Sequence, residues 1–211
     1  MSHNMSIKFS IGRKTNLYKK FLKRIFDIIM SLIALPFFFI LLLIIAPLIY
    51  LSDKGSIFYI APRLGKDGKV FNMYKFRSMK MNAPDIRNED GSTFNSDSDV
   101  RLIKIGNFLR KTSIDEIPQI LNILKGDMSL IGPRPDLSSQ IEFYDITCEL
   151  KFTVRPGLTG YAQVKGRNTI SWEEKNQLDR YYVENISLFL DIRIFFLTII
   201  KIFKAEGVNK I

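Results

Sequence analysis

The chain has 211 residues, 46% of them apolar, so it can bury one sizeable core. Its net charge of +10, from 31 Lys and Arg against 21 Asp and Glu, suits nucleic acid, an anionic membrane or phosphate substrates. The one histidine, His3, lies in a polar N-terminal tail and the one cysteine is Cys148, which excludes a Ser-His-Asp triad, a His or Cys metal site, a disulfide frame and a C-x-x-C pair, and leaves the chemistry to carboxylates supported by Lys and Arg.

Residues 1–22 form a basic tail. Residues 23–52 are predicted as a membrane helix, and residues 53–211 as one further domain. Ile28 to Ser52 carries no charge and is bounded by Asp27 and Asp53. Crossing a bilayer needs about 20 apolar residues, so the run is long enough. It starts late and has no small-residue cleavage site, unlike a signal peptide. Lys14, Lys19, Lys20, Lys23 and Arg24 precede it, and Lys54, Arg63, Lys66 and Lys69 follow it. A spanning helix carries its lysines and arginines mainly on the cytoplasmic side. Pro36 lies well inside the run, where it removes a backbone bond. Two readings stay open: a helix that breaks near Pro36 and returns to the same face, or an ordinary kinked span.

Phe58 to Phe76 reads as a β-hairpin turning at Gly65-Lys66-Asp67-Gly68. On a strand Lys75 and Arg77 share a face about 7 Å apart, a pairing suited to phosphate oxygens, or to a solvated strand face. The segment from Asn82 to Asp99 has loop composition. Arg101 to Arg110 is predicted helical, with Leu102, Ile105, Phe108 and Leu109 inward.

Next comes an adjacent acid pair, Asp115-Glu116, followed by Pro118. Proline fits a helix freely only in its first turn, so the helix is predicted to begin near Asp115. The helix N-terminus would then keep Asp115 ionised, able to hold a metal or attack an electrophile. Ser113-Ile114-Asp115-Glu116 also fits a capping box, a purely structural reading. Ile117, Ile120, Leu121 and Leu124 share one face, and Lys125-Gly126 closes the helix. Arg134, between Pro133 and Pro135, is a guanidinium on a constrained backbone. Ser138 to Phe152 is predicted helical. Arg155 to Gly160 is predicted as turn, Tyr161 to Val164 as strand, Gly166-Arg167-Asn168 as a tight turn and Trp172 to Tyr182 as helix. Ile186 to Lys204 is apolar but interrupted by Asp191, Arg193, Lys201 and Lys204, either a core helix or one lying in the membrane interface.

Five ordered blocks carry a resemblance: Lys75–Met79, Gly106–Gln119, Leu124–Pro135, Val154–Gly160 and Asp179–Asn185. Together, from about Lys23 to Phe203, they resemble the bacterial sugar transferase family, the small monotopic phosphoglycosyl transferases. The resemblance implies an α+β fold: a mostly helical single domain with a small β-hairpin, a re-entrant N-terminal membrane helix broken at Pro36 and interfacial amphipathic helices. It implies transfer of a phosphosugar from a UDP-sugar to polyprenol (undecaprenyl) phosphate, with release of UMP. Asp115 would be the nucleophile and a ligand of Mg²⁺, the expected cofactor, and Glu116 would orient or polarise the site. Lys75, Arg77, Arg110 and Arg134 are the candidate phosphate binders. The expected partners are the UDP-sugar, the lipid phosphate and membrane lipid, without nucleic acid and with a homodimer left open. The expected location is the bacterial inner membrane, with the catalytic domain on its cytoplasmic face. One departure is Leu35-Pro36 where the family often has Ser-Pro, and Ser31, a turn earlier, is the nearest hydroxyl on that side.

Two other readings compete. A membrane-anchored basic protein binding anionic lipid or nucleic acid would need no catalysis, but here the cations flank the apolar run and the acid pair rather than forming a stripe with aromatics. A nucleotidyltransferase acting on a lipid phosphate would release diphosphate instead of UMP.

Overall fold

The computed structural model describes residues 17–86, 96, 99–138, 149–166 and 170–204. It is mostly helical, with two small two-stranded sheets and one long apolar helix at the start. A π-helical turn, Tyr18–Leu22, leads into helix α1, Lys23–Asp53, which is 31 residues long. At 1.5 Å per residue α1 is about 46 Å long. It is long and apolar enough to cross a membrane. The helix runs through Pro36 and Pro47 without interruption. Ser31 is buried, and its hydroxyl has no hydrogen-bond partner among the described residues, so it does not meet the backbone groups freed at Pro36.

The faces of α1 are unusual. Lys23, Asp27, Ser31, Phe38, Ile45 and Ile49 recur at helical spacing and turn toward the protein. Ile29, Leu32, Ile33, Phe37, Ile40, Leu43 and Leu51 are exposed. So large an apolar surface points to a lipid environment. Both ends of α1 are fastened to the same body. At the start, Arg24 donates to the carbonyls of Ile123 and Leu124 at 2.6 and 3.0 Å, and Asp27 accepts from Leu130 N–H at 2.9 Å. At the end, Asp53 forms a two-pronged ion pair with Arg77, both contacts 2.6 Å, and accepts from Met81 N–H.

Strands β1, Phe58–Leu64, and β2, Val70–Phe76, pair antiparallel with Phe58 opposite Phe76, as the hairpin signal predicts. Asp67 and Gly68 supply the positive φ angles that the tight connection requires. The segment 101–105 is turn rather than helix, and α2 covers only Gly106–Lys111. Leu109 is buried there while Phe108 is exposed, which corrects the inward face expected from the longer helix. Helix α3, Gln119–Lys125, ends at Gly126 with φ 99°.

Strand β3, Ser129–Ile131, pairs in parallel with β4, Gly157–Thr159. A Cβ on Gly157 would overlap the Gly132 nitrogen, so glycine is required where β4 begins beside β3. Tyr161 to Val164, expected as strand, is the short helix α4, Tyr161–Lys165, and the strand falls on the preceding turn-rich residues. Helix α5, Trp172–Glu184, starts as expected, with Ser171 Oγ accepting from Glu174 N–H. Of the helix expected over Ser138–Phe152, residues 139–148 lie outside the described residues, and Glu149–Thr153 is a 3₁₀ turn. The loop expected at Asn82–Asp99 and the turn at Gly166-Arg167-Asn168 also lie largely outside them. Helix α6, Leu188–Lys204, buries Leu190 and Ile194 and leaves Phe189, Phe196 and Ile200 exposed.

Three apolar clusters hold the domain. Phe38, Ile45 and Ile49 of α1 pack with Phe76, Ile103, Leu109 and Ile120. Tyr18, Ile131, Tyr182, Val183, Leu190 and Ile194 form a second cluster, and Ala61, Met73, Ile123 and Met128 a third. The first places α1 directly behind the acid pair.

Candidate active site

Asp115 and Glu116 lie on a 3₁₀ turn, Ile114–Glu116, ahead of α3. Ser113 enters the turn at φ 58° and its hydroxyl caps nothing, so the capping box does not form. Pro118 is the N-cap of α3, which starts at Gln119. The expectation that α3 begins at Asp115 is corrected: the left-handed residue Ser113 turns the chain first, and the helix follows the proline. The acid pair therefore meets the domain's cations rather than the end of a long helix.

Glu116 is held from two sides. Its Oε1 accepts from Lys75 Nζ at 2.8 Å and from Arg134 Nη2 at 3.0 Å. Burial opposes its ionisation, but Arg134 and Lys75 outweigh that and hold its carboxyl well below the usual range. Asp115 is different. It is buried, 8% exposed, and its carboxylate accepts no hydrogen bond from the described residues. Burial pushes it up to about 6; the neighbouring Glu116 charge adds to this, while Lys75, Arg110 and Arg134 oppose it. One carboxylate is thus tied down and the other keeps its oxygens available, inside a ring of three cations.

Each cation comes from a different element. Lys75 is on β2. Arg110 ends α2 and donates through Nε to Ser78 Oγ at 3.0 Å. Arg134 is on the loop after β3, and its side chain is half exposed. That loop is built closely. Leu64 N–H donates to Asp136 O at 2.9 Å, Gly157 N–H donates to Pro133 O at 2.8 Å, and Lys151 pairs with Asp136. Arg134 is therefore fixed between the end of β1 and the start of β4.

Arg77 does not join this group. It follows the end of β2, it is 4% exposed, and its guanidinium is engaged by Asp53 and by the carbonyls of Ser56 and Met79. The shared face expected for Lys75 and Arg77 fails because the strand stops between them. Arg77 instead fastens the end of α1 to the strand that carries Lys75. Pro36 lies within α1. Three residues that the motif reading missed support the geometry: Asp53, Ser78 and Asn122. Asp53 was visible as the boundary of the apolar run and Ser78 lay within the Lys75–Met79 block without a role assigned, while Asn122 had no distinguishing signal.

Among the described residues no three His, Cys, Asp or Glu side chains stand close enough to form a metal cluster. The site offers anion-binding cations and one unengaged carboxylate. That combination can hold a diphosphate and direct an oxygen nucleophile at phosphorus.

Comparison with known proteins agrees. The profile of the bacterial sugar transferase family matches residues 18–205. The uncharacterized sugar transferase EpsL of Bacillus subtilis (strain 168) is 42% identical over 189 residues, 90% of this chain and 91% of that protein. The exopolysaccharide production protein ExoY of Sinorhizobium fredii is 39% identical over 196 residues, covering 88% of this chain and 87% of that protein. The undecaprenyl-phosphate galactose phosphotransferase of Salmonella typhimurium is 40% identical over 205 residues, covering 89% of this chain but only 42% of the longer relative. With the five sequence blocks, the profile match and these relatives in agreement, the chain belongs to the bacterial sugar transferase family.

Proposed function

We propose that this sugar transferase moves a phosphosugar from a UDP-sugar to a polyprenol phosphate, undecaprenyl phosphate or a close relative, and releases UMP. The observation that carries the proposal is the contrast within the acid pair: Asp115 is buried among Lys75, Arg110 and Arg134 and its carboxylate accepts no hydrogen bond among the described residues, while Glu116 is consumed by Lys75 and Arg134. In the first step an Asp115 carboxylate oxygen attacks the sugar-linked phosphorus. The new Asp–O–P bond forms as the P–O bond to UMP breaks, and UMP leaves as the anion. In the second step a phosphate oxygen of the lipid attacks the same phosphorus. The Asp–O–P bond breaks, Asp115 is restored, and the lipid carries a sugar diphosphate. Glu116 holds Lys75 and Arg134 in place, and those cations with Arg110 bind the phosphate oxygens. The undecaprenyl-phosphate galactose phosphotransferase of Salmonella typhimurium and the UDP-galactose-lipid carrier transferase of Erwinia amylovora, both similar to this chain, support this substrate class.

A magnesium ion fits this site with a small protein share. The unengaged Asp115 carboxylate suits a hard cation, and with no cluster of three acidic ligands among the described residues the substrate's phosphate oxygens would supply part of its ligands. Bound there, the ion would neutralise diphosphate charge.

The site is delivered to a membrane surface. Both ends of α1 dock on the catalytic domain, Arg24 at one end and Asp53 at the other, and this supports an α1 that enters and leaves one leaflet. The exposed apolar face of α6, with Lys201 and Lys204 near its end, suits a helix lying in the interface. The resulting location is the inner membrane with the domain on the cytoplasmic side, where a soluble UDP-sugar meets a lipid phosphate. Cysteines placed at Ser10 and Ser138 in a Cys148→Ser background test this with an impermeant thiol reagent. Labelling of position 10 from outside intact cells while position 138 stays protected would show a span instead.

The activity test is UMP release from a panel of UDP-sugars with polyprenol phosphate and magnesium. Without the lipid, a burst of about one UMP per enzyme is expected. Release of diphosphate, or no reaction with any UDP-sugar, would refute the proposed reaction.

A further inference from the structure

The acid pair and its closest cation sit on separate elements. Lys75 is on β2, while Asp115 and Glu116 precede α3. Among the described residues, the side-chain hydrogen bonds between β2 and the 114–125 segment come from two residues: the functional contact of Lys75 with Glu116, and Asn122.

Asn122 is completely buried in α3. Its Oδ1 accepts from Tyr74 N–H at 2.9 Å and its Nδ2 donates to Asn72 O at 2.7 Å. These are backbone groups of β2 that β1 does not use. The primary amide thus takes the place of a peptide group in a third strand, and pairs with both a donor and an acceptor two residues apart. The remaining Nδ2 proton faces Asp127 Oδ2 at 3.3 Å. The Asn122 backbone carbonyl accepts from Gly126 and Asp127 N–H, each at 3.0 Å, which closes α3. Asn122 therefore joins the strand and the end of the helix at one point.

We infer that Asn122 is a positioning residue for phosphoryl transfer: its side-chain amide fixes the register of β2 against α3 and so places Lys75 at the acid pair. The inference rests on the covalent reading of Asp115. Strand side chains alternate faces, so a one-residue slip of about 3.3 Å would carry Lys75 to the opposite side. Apolar contacts between β2 and α3 resist separation but do not choose a register. A paired donor and acceptor does, because any slip leaves buried polar groups without partners. Neither Asp nor Ala reproduces this, since aspartate lacks the donor and alanine lacks both groups.

The test uses the burst of UMP without lipid acceptor, whose amplitude counts competent enzyme and whose rate reports the chemical step. Asn122→Ala and Asn122→Asp should each slow the burst by about tenfold or more per competent site, while the half-saturating UDP-sugar concentration moves less than about threefold. In a Lys75→Met background, adding Asn122→Ala should cost less than about twofold, because the residue acts through Lys75. A wild-type burst rate in the folded variants, or the same fold-loss in both backgrounds, overturns the inference. Failure of both variants to fold also overturns it, by making Asn122 a stability element only. A wild-type enzyme with no burst would instead refute the covalent reading and remove the basis of the inference, a result distinct from the other outcomes.

Discussion

Two buried carboxylate clusters in this molecule are built from similar parts and are opposite in character. At the base of α1, Asp191 is fully buried. Its Oδ2 accepts from the Tyr18 hydroxyl and from Lys23 Nζ, both at 2.6 Å, and its Oδ1 accepts from the Tyr182 hydroxyl at 2.8 Å. The donors come from the π-helical turn, α1 and α5, so one carboxylate joins these elements to α6. At the candidate site Glu116 is used in the same way, but its neighbour Asp115 is left with no hydrogen bond while three cations stand near it. A buried acid whose oxygens are all occupied is a fastener. One that is buried, ringed by cations and unoccupied carries a cost that only a substrate or metal would offset, which is the mark of a functional group.

The sharpest way to separate the two clusters is to neutralise each acid. Asp115→Asn keeps the shape of the side chain and removes the proposed nucleophile, so UMP release and the burst should fall by at least about 1000-fold. Thermal unfolding in detergent or nanodiscs should show the variant no less stable than the wild type. More than a few per cent of wild-type turnover would erase the functional half of the contrast.

Asp191→Asn should do the reverse. It leaves the buried Lys23 ammonium without its direct partner, and a broken buried pair costs about 3 kcal/mol or more. Lower yield and a clearly reduced unfolding temperature are expected. The folded fraction that remains should show a normal burst rate per competent site. A stable but inactive Asp191→Asn protein would mean that this cluster is not merely a fastener.

The smallest effect concerns Asp179, which stands between the two types. It is 5% exposed, and its Oδ1 has no hydrogen-bond partner among the described residues. Burial pushes its carboxyl up to about 7, against the pull of Lys151. The folded protein then holds this proton to a higher pH than the unfolded chain, whose aspartates titrate near 4. The stability linked to the protonated form is complete below about pH 4 and is lost as pH rises through 7. Asp179→Asn should therefore unfold a few degrees higher than the wild type at pH 8, with the gain shrinking below pH 7 and gone near pH 4. An equal gain at all pH values would indicate that charge is not the cause.

Much of this was legible in the chain. The uncharged run with its two boundary aspartates marked α1, the Gly-Lys-Asp-Gly turn marked the hairpin, and Ser171 ahead of two glutamates marked the start of α5. The acid pair stood out once His and Cys chemistry was excluded. Periodicity failed where elements are short. Gly106–Lys111 and Gly157–Thr159 are too brief to show a repeat, and β4 exists because Gly132 and Gly157 let two strands meet.

The sequence alone determined which groups could do the chemistry and which segment is apolar enough to meet lipid, because composition and local spacing carry that information directly. Only the tertiary structure decided how the charges pair. Lys75 and Arg77 are two residues apart and look equivalent in the chain, yet one reaches Glu116 and the other Asp53. Asp115 and Glu116 are adjacent and both carboxylates, yet two cations bind one and no hydrogen bond reaches the other. Partner choice depends on elements 18 to 41 residues away and on where each strand or turn happens to end. A charge's neighbours along the chain do not contain that information, whereas burial and packing impose it.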